Sequence, residues 1–194
     1  AGMRKAICAT ALARQQWVGF KDTEGNSVNP ETYSMMIDAP IPFLRGGLAL
    51  GFLQDQLGME TSVGARISYA YHMPLGAGRL GVGGQVGFID KRIDFSGFTP
   101  ISGSDPVLIG GEESHMFADF SLGGFYMLDE EIWGGLSFSQ IRQATGFIGE
   151  SSHSLKRHIY ATAGYNFGLP AFPKYEFSPS LLIKTDFSSL QTDL

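Results

Sequence analysis

The sequence predicts an all-β protein, a transmembrane antiparallel up-and-down β-barrel. Apolar and polar residues alternate through most of the chain, which is the period-two pattern of strands with two different faces. Among 194 residues there are 26 glycines and 15 phenylalanines, and charged residues make up 17%, below the roughly 25% of soluble domains. Short turns also alternate with long polar loops, as in outer-membrane barrels.

The alternation is clearest between residues 61 and 94, where a Gly-Ala-Gly turn joins two predicted strands. The apolar positions are Val63, Ala65, Ile67, Tyr69, Tyr71 and Met73 in the first, and Leu80, Val82, Val86 and Phe88 in the second. A soluble sandwich buries such a face in its core, whereas a membrane barrel turns it toward lipid. This stretch fits both structures, so the remaining elements decide between them.

Nine strands and the start of a tenth are predicted along the chain. They cover residues 5–16, 31–39, 46–53, 61–75, 79–90, 114–127, 132–140, 156–167 and 175–187, and the tenth begins at Gln191. Pro40 and Pro42 end the second strand, because proline cannot donate to a strand ladder. No run of about 18 apolar residues exists, which excludes a membrane-spanning helix from this sequence.

The connections between these strands predict two different ends. Long polar loops follow strands one, five and seven (residues 18–30, 95–113 and 144–154), and a shorter polar one, 54–58, follows strand three. Tight turns follow strands two, four, six and eight, and aromatic residues cluster near them, which predicts a girdle at the periplasmic interface. The girdle residues are Phe43, Tyr69, Tyr71, Phe125, Tyr126, Trp133, Tyr165, Phe167, Tyr175 and Phe177.

Both ends of the sequence look cut, since a strand pattern begins almost at once and another is starting at the last residues. Nine strands would leave edges in lipid, where each unsatisfied backbone group costs several kcal/mol. We therefore expect further strands beyond Leu194, or a second chain that closes the barrel.

Polar residues on the less apolar parity predict the lumen wall. They are Arg14, Asp38, Arg66, His72, Gln85, Asp119 and Lys184, together with Asn166 and Glu176. Charges of both signs in a barrel interior are expected to pair across the lumen, and the alternative is that they grip an inserted peptide. Inward glycines between Gly81 and Gly87 would let another backbone or a plug approach closely.

Enzymatic and metal chemistry find little support in the sequence. The candidate serines and histidines, including Ser151, Ser152 and His153, lie in no Gly-x-Ser-x-Gly elbow, so no catalytic residue is assigned. Cys8 stands alone without metal-ligand spacing and is predicted to be a small buried thiol. A net charge of -5 gives no basic footprint for nucleic acid. No cofactor is expected.

Several blocks resemble the PorP/SprF family of outer-membrane proteins in the type IX secretion system of Bacteroidota. They are Ala1-Gly2 (the tail of an NPAYAG segment), residues 14–20 (RQQWVGF), 47–58, 69–71, 157–167, 178–184 and 191–194. The resemblance implies one barrel domain over residues 1–194, missing its N-terminal lead and its C-terminal strands. About nine of roughly fourteen strands would then be present, an even total being usual for such barrels.

The resemblance also implies a non-enzymatic function in the bacterial outer membrane. The expected partners are outer-membrane lipid, an exported gliding-type adhesin or its C-terminal signal domain, and the periplasmic ring of the secretion machine. We expect partner contact in the external loops, at Phe95, Phe98, Asp105, Glu112, Glu113, Phe147 and Glu150. The alternatives are a diffusion porin or lipid carrier, an outer-membrane lipid hydrolase, and a soluble β-domain.

Overall fold

A computed structural model shows one large antiparallel sheet. It describes residues 1–3, 6–21, 25, 28–95, 111–129, 131–148, 151–169 and 172–194. Ten strands lie in the order β1-β2-β3-β4-β5-β6-β7-β10-β13-β14. Their bounds are Cys8–Gln15, Glu31–Ile41, Gly46–Leu57, Glu60–Leu75, Gly78–Asp94, Glu112–Leu128, Ile132–Ser139, His158–Tyr165, Ser180–Thr185 and Leu190–Asp193. The all-β, up-and-down fold class is confirmed, and this order leaves β1 and β14 as the two edges of an open sheet.

Connections after β1, β3, β5 and β7 lie at what we call the loop end, and those after β2, β4, β6 and β10 at the turn end. Gly58 and Gly76, in the two-residue turns after β3 and β4, have φ of +59° and +60°, which glycine adopts readily. The polar loop predicted at 54–58 is wrong, because β3 continues to Leu57 and only a tight turn follows. Strand β2 passes through Pro40 and stops at Ile41, before a 3-10 helix at Pro42–Leu44.

One side of the sheet, the apolar face, is exposed. The register aligns Ile37, Leu50, Ile67, Val86 and Phe120 across β2 to β6, and each is 40–55% exposed. A soluble sandwich would bury such a row, so its exposure favours the lipid-facing interpretation. Within the described residues, no helix has the length and apolar character needed to cross a membrane.

The opposite side, the polar face, is covered in two places. Residues 1–3 contact β2 to β5, and a hairpin formed by β8 (Thr145–Ile148) and β9 (Ser151–Ser154) contacts β6. We call β8–β9 the folded hairpin. The most deeply buried large side chains of the described residues are Ile148 on this hairpin, 1% exposed, and Phe117 on β6, 2% exposed. The best-packed apolar cluster therefore lies on the polar face, beneath a segment predicted to be an external loop.

The last third of the chain corrects two predicted strands. The eighth ends at Tyr165 rather than at residue 167, where the Asn166 amide donates to the Glu131 carbonyl. The ninth is divided into β12 (Phe172–Phe177) and β13. β12 pairs with β11 (Phe167–Leu169), so a two-stranded aromatic ribbon replaces the predicted tight turn. The tenth strand, predicted from Gln191, is present as β14.

Candidate functional site

Of the nine residues predicted to line a lumen, Asn166 follows the end of β10 and Glu176 lies on β12, outside the ten-stranded sheet, whereas the other seven belong to the polar face. Their register partners share its parity: Arg14 faces Thr32, Asp38 faces Ala49, Arg66 faces Gly87, Gln85 faces Ser121, and Lys184 faces Tyr160. His72 lies opposite Gly81, and Asp119 opposite Gly87. That this face lines a lumen stays a prediction, since the sheet is open.

Three of these polar side chains contact residues on a neighbouring strand. Gln85 accepts a hydrogen bond from Ser68 across the β4–β5 pair, at 3.2 Å. Lys184 forms an ion pair with Asp193 on β14, at 3.3 Å. Arg66 lies over Gly51, where an added Cβ would be 2.7 Å from its Nε. Within the described chain no ion pair joins two of the seven predicted residues, so the charges are not neutralised by one another here.

Asp119 and Ser121 form a buried polar pair on β6. Each residue is only 8% exposed. Asp119 Oδ1 and Ser121 Oγ have no hydrogen-bond partner within the described part of the chain. A buried polar group left unpaired costs about 1–3 kcal/mol, and native structures usually resolve that cost with an ordered water or a ligand group. These two oxygens are therefore the polar-face atoms best suited to receive donors from outside the chain.

The folded hairpin contacts the same strand, β6, at His115. Gly146 lies against His115, so closely that an added Cβ would overlap the imidazole. The His115 and Phe117 rings are 4.7 Å apart. On the other side of β8, Phe147 is 66% exposed. The parity of Gly146 and Ile148 against Thr145 and Phe147 was the available sequence signal, but four residues of alternation were too few to predict a strand.

Ion pairs fix the base of the longest loop. Lys91 pairs with Glu60 at 2.9 Å, and Arg92 pairs with Asp90 at 2.8 Å and with Glu112 at 3.3 Å. The Phe95 amide donates to the Gly111 carbonyl at 2.9 Å. Exposed pairs contribute about 0–1 kcal/mol each, so their effect is to orient the loop base.

The predicted partner-contact residues are placed unevenly by the structure. Glu112 and Glu113 begin β6, with Glu113 opposite Ile93, and Phe147 lies on the folded hairpin. Phe98, Asp105 and Glu150 lie outside the described residues. Contact of these side chains with a partner stays a prediction.

Aromatic residues gather at the turn end, on both faces. The hydroxyls of Tyr69 and Tyr126 donate to turn carbonyls at Leu44 and Leu75, at 2.7 and 3.1 Å. Phe125 and Trp133 stack with centroids 6.0 Å apart, but their parity is that of His72 and places them on the polar face. These two residues therefore do not belong to a lipid-facing girdle, and the girdle itself stays a prediction.

Two histidines, His72 and His158, form hydrogen bonds with amide or carbonyl oxygens. The His72 Nε2–H donates to the Ala1 carbonyl, and His158 Nδ1 lies 2.9 Å from both Gln140 Oε1 and the Lys156 carbonyl. Cys8 is half-buried, and its Sγ lies 3.7 Å from the Ala6 carbonyl.

Comparison with known proteins identifies the family. No curated protein and no solved structure matched the chain. A family model described as "Type IX secretion system membrane protein PorP/SprF" matched residues 1–194, the whole sequence. With its exposed apolar face and covered polar face, this chain belongs to the PorP/SprF family of type IX secretion system membrane proteins.

Proposed function

We propose that this protein is a non-enzymatic outer-membrane β-barrel that anchors an exported adhesin, through its C-terminal signal domain, at the cell surface. The observation that carries the proposal is the exposed apolar row of β2 to β6 in a chain of a secretion-system membrane family. Strands with one apolar and one polar face cross a membrane when the apolar face meets lipid.

The loop end is the proposed contact surface for the exported domain. Its long loop, 96–110, leaves from a base held by the Arg92 and Lys91 ion pairs. The folded hairpin, which contacts β6, has Phe147 exposed and Ile148 buried. An exposed aromatic ring on a fixed backbone loses little conformational entropy when it binds, which is typical of interface hot spots.

The turn end is the proposed contact surface for the periplasmic secretion ring. Strand connectivity places the aromatic ribbon there, and its Tyr175 and Phe177 are 67% and 55% exposed. Gliding-type adhesion and the periplasmic partner are expectations that follow from the family.

Replacing Phe147 tests the anchoring function. Phe147→Ala should weaken adhesin retention about tenfold, since truncating a hot-spot aromatic commonly costs more than 1 kcal/mol. Retention is measured as the cell-bound against the released fraction of the exported protein. Thr145→Ala is the matched control, because Thr145 is exposed on the same side of the same strand.

A second variant removes residues 96–110 and keeps β5 and β6. We expect it to release the adhesin while heat-modifiable migration of the folded barrel is unchanged. Normal retention in both variants would reject anchoring, and partner-independent ion conductance of the wild type would then favour the diffusion porin.

A further inference from the structure

Residues 1–3 lie on the polar face as a strap across β2, β3, β4 and β5. Gly2 is buried although it is not part of a strand. Gly2 contacts Asp38 and Gly47, Ala1 contacts His72, and Met3 contacts Gly81. These four contacted residues belong to four successive strands near the turn end. The segment therefore runs across the sheet rather than along it, and we call it the strap.

Two side chains hold the backbone of the strap. The Gly2 amide donates to Asp38 Oδ2 at 2.9 Å, and His72 Nε2 donates to the Ala1 carbonyl at 2.9 Å. A bond to a carboxylate is stronger than a bond between neutral groups. On the strap, the donor and the acceptor both belong to the main chain, so these bonds recognise its backbone rather than particular side chains.

Glycines on both partners allow a close approach. Gly2 has φ of +63°, and a Cβ there would lie 2.6 Å from Gly47 Cα and 2.8 Å from the Ala39 carbonyl oxygen. A Cβ on Gly47 would in turn lie 2.5 Å from the Ala1 carbonyl oxygen. Only glycine satisfies both conditions at the second position of the strap, because other residues rarely adopt this φ and would collide with the wall.

We infer that the polar face of β2 to β5 is an internal binding site for a backbone segment with glycine in the left-handed conformation, and that the strap is its occupant. The site consists of Asp38 and His72 as the two polar clamps and Gly47 as the floor. While the strap is bound, it covers the turn end of this wall and shields Gly81 beneath Met3. Its release uncovers the wall without any change in strand pairing.

Thiol labelling of the full-length protein in native membranes tests this site. A Gly81→Cys probe, made with Cys8→Ser, places a Cβ 3.3 Å from His72 Cδ2 and 3.6 Å from Met3 Cε, a tight contact that a shift of a few tenths of an ångström in these side chains relieves. Into this background we place Gly2→Ala or Asp38→Ala. Each should raise the labelling rate by a water-soluble maleimide about tenfold, the change in open fraction expected when a charge-assisted hydrogen bond is lost.

Gly76→Ala is the matched control. Gly76 has nearly the same φ, +60°, but nothing lies within 4 Å of a Cβ added there. In the same Gly81→Cys/Cys8→Ser background it reproduces the backbone strain of Gly2→Ala without the collision, so its labelling rate should equal that of the parent Gly81→Cys/Cys8→Ser protein. Equal rates in Gly2→Ala, Asp38→Ala and that parent protein would overturn the inference, and so would acceleration by Gly76→Ala.

If the Gly2→Ala variant does not fold, the Asp38→Ala variant tests the site alone, provided that its size and strand content match those of the parent protein. The measurement needs no exported protein. Failure of the strap and failure of adhesin anchoring are therefore distinguishable.

Discussion

The folded hairpin and the aromatic ribbon are both short two-stranded additions to the main sheet, but their side chains meet opposite environments. The hairpin places Ile148 against the sheet at 1% exposure, whereas the ribbon leaves Tyr175 67% exposed. In the hairpin, the small residue Gly146 lies against His115. In the ribbon, the Phe167 ring lies 5.4 Å from the ring of Phe177 and 5.4 Å from that of Tyr165 at the end of β10. A hairpin packs closely against a sheet when the side chains on one of its faces are small or aliphatic. The hairpin has such a face in Gly146 and Ile148, whereas Lys174 and Glu176 alternate with Tyr175 and Phe177 in the ribbon.

The largest effect is expected from a substitution that separates the folded hairpin from the sheet. Ile148→Asp buries a charge without a partner, which costs several kcal/mol unless the segment leaves. We expect the hairpin to become the first site of cleavage in limited proteolysis, with the sheet intact. In the Phe147→Asp variant, whose altered residue is adjacent but exposed, the protease should cleave the hairpin at the wild-type rate. Equal protection of both variants would contradict the packing of Ile148.

A somewhat smaller effect is expected from filling the space at Gly146. Gly146→Val places a side chain where the His115 ring lies, and such overpacking costs about 1–3 kcal/mol. Removing the ring in Gly146→Val/His115→Ala should restore part of the loss, which urea unfolding in detergent would measure. A double variant that is as unstable as the sum of the single ones would show that the two residues do not interact.

The ribbon should tolerate truncation better. Phe177→Ala removes the edge contact with Phe167 at 5.4 Å, and an aromatic pair contributes about 0.5–1.5 kcal/mol beyond its buried area. We expect a small loss in the same unfolding assay. Destabilisation equal to that of Ile148→Ala, about 2–5 kcal/mol for a buried aliphatic side chain, would mean that the ribbon packs as firmly as the hairpin.

The smallest effect belongs to a turn outside both regions. Amides of Ser189 and Ser188, together with the Ser189 hydroxyl, donate to Asp186 and lower its pKa from 3.8 to about 2. A lowered folded-state pKa stabilises the turn above pH 3.8, and this contribution disappears as the pH falls through about 2. Carboxyl NMR titration of Asp186 should show that pKa, and Asp186→Asn should remove the step. A normal value near 3.8 would contradict the turn geometry.

Strand parity was predictable, because period-two alternation persists over long stretches such as 61–94. That alternation alone assigns Asp38, Arg66 and Asp119 to one face, and the strand register places them there. The folded hairpin was not predictable, because its burial depends on packing against His115 and Phe117, which are about 30 residues away in the sequence. The division of the ninth strand near Pro179 was missed because the aromatic alternation of 175–177 continues the strand pattern. Pro179 accepts a hydrogen bond from the Tyr165 amide but has no N–H of its own to donate, so the ladder is interrupted there.

The length of β5 and β6 has a mechanical consequence. Each has 17 residues, which at about 3.3 Å per residue and a tilt of about 45° rise about 40 Å. The lipid-facing band of an outer-membrane barrel is about 25 Å tall. In a sheet that crossed such a band at this tilt, about 15 Å of the two strands would extend beyond it. Force applied at the loop end of β5 and β6 would then act along a continuous ladder of paired backbone rather than on a flexible connection.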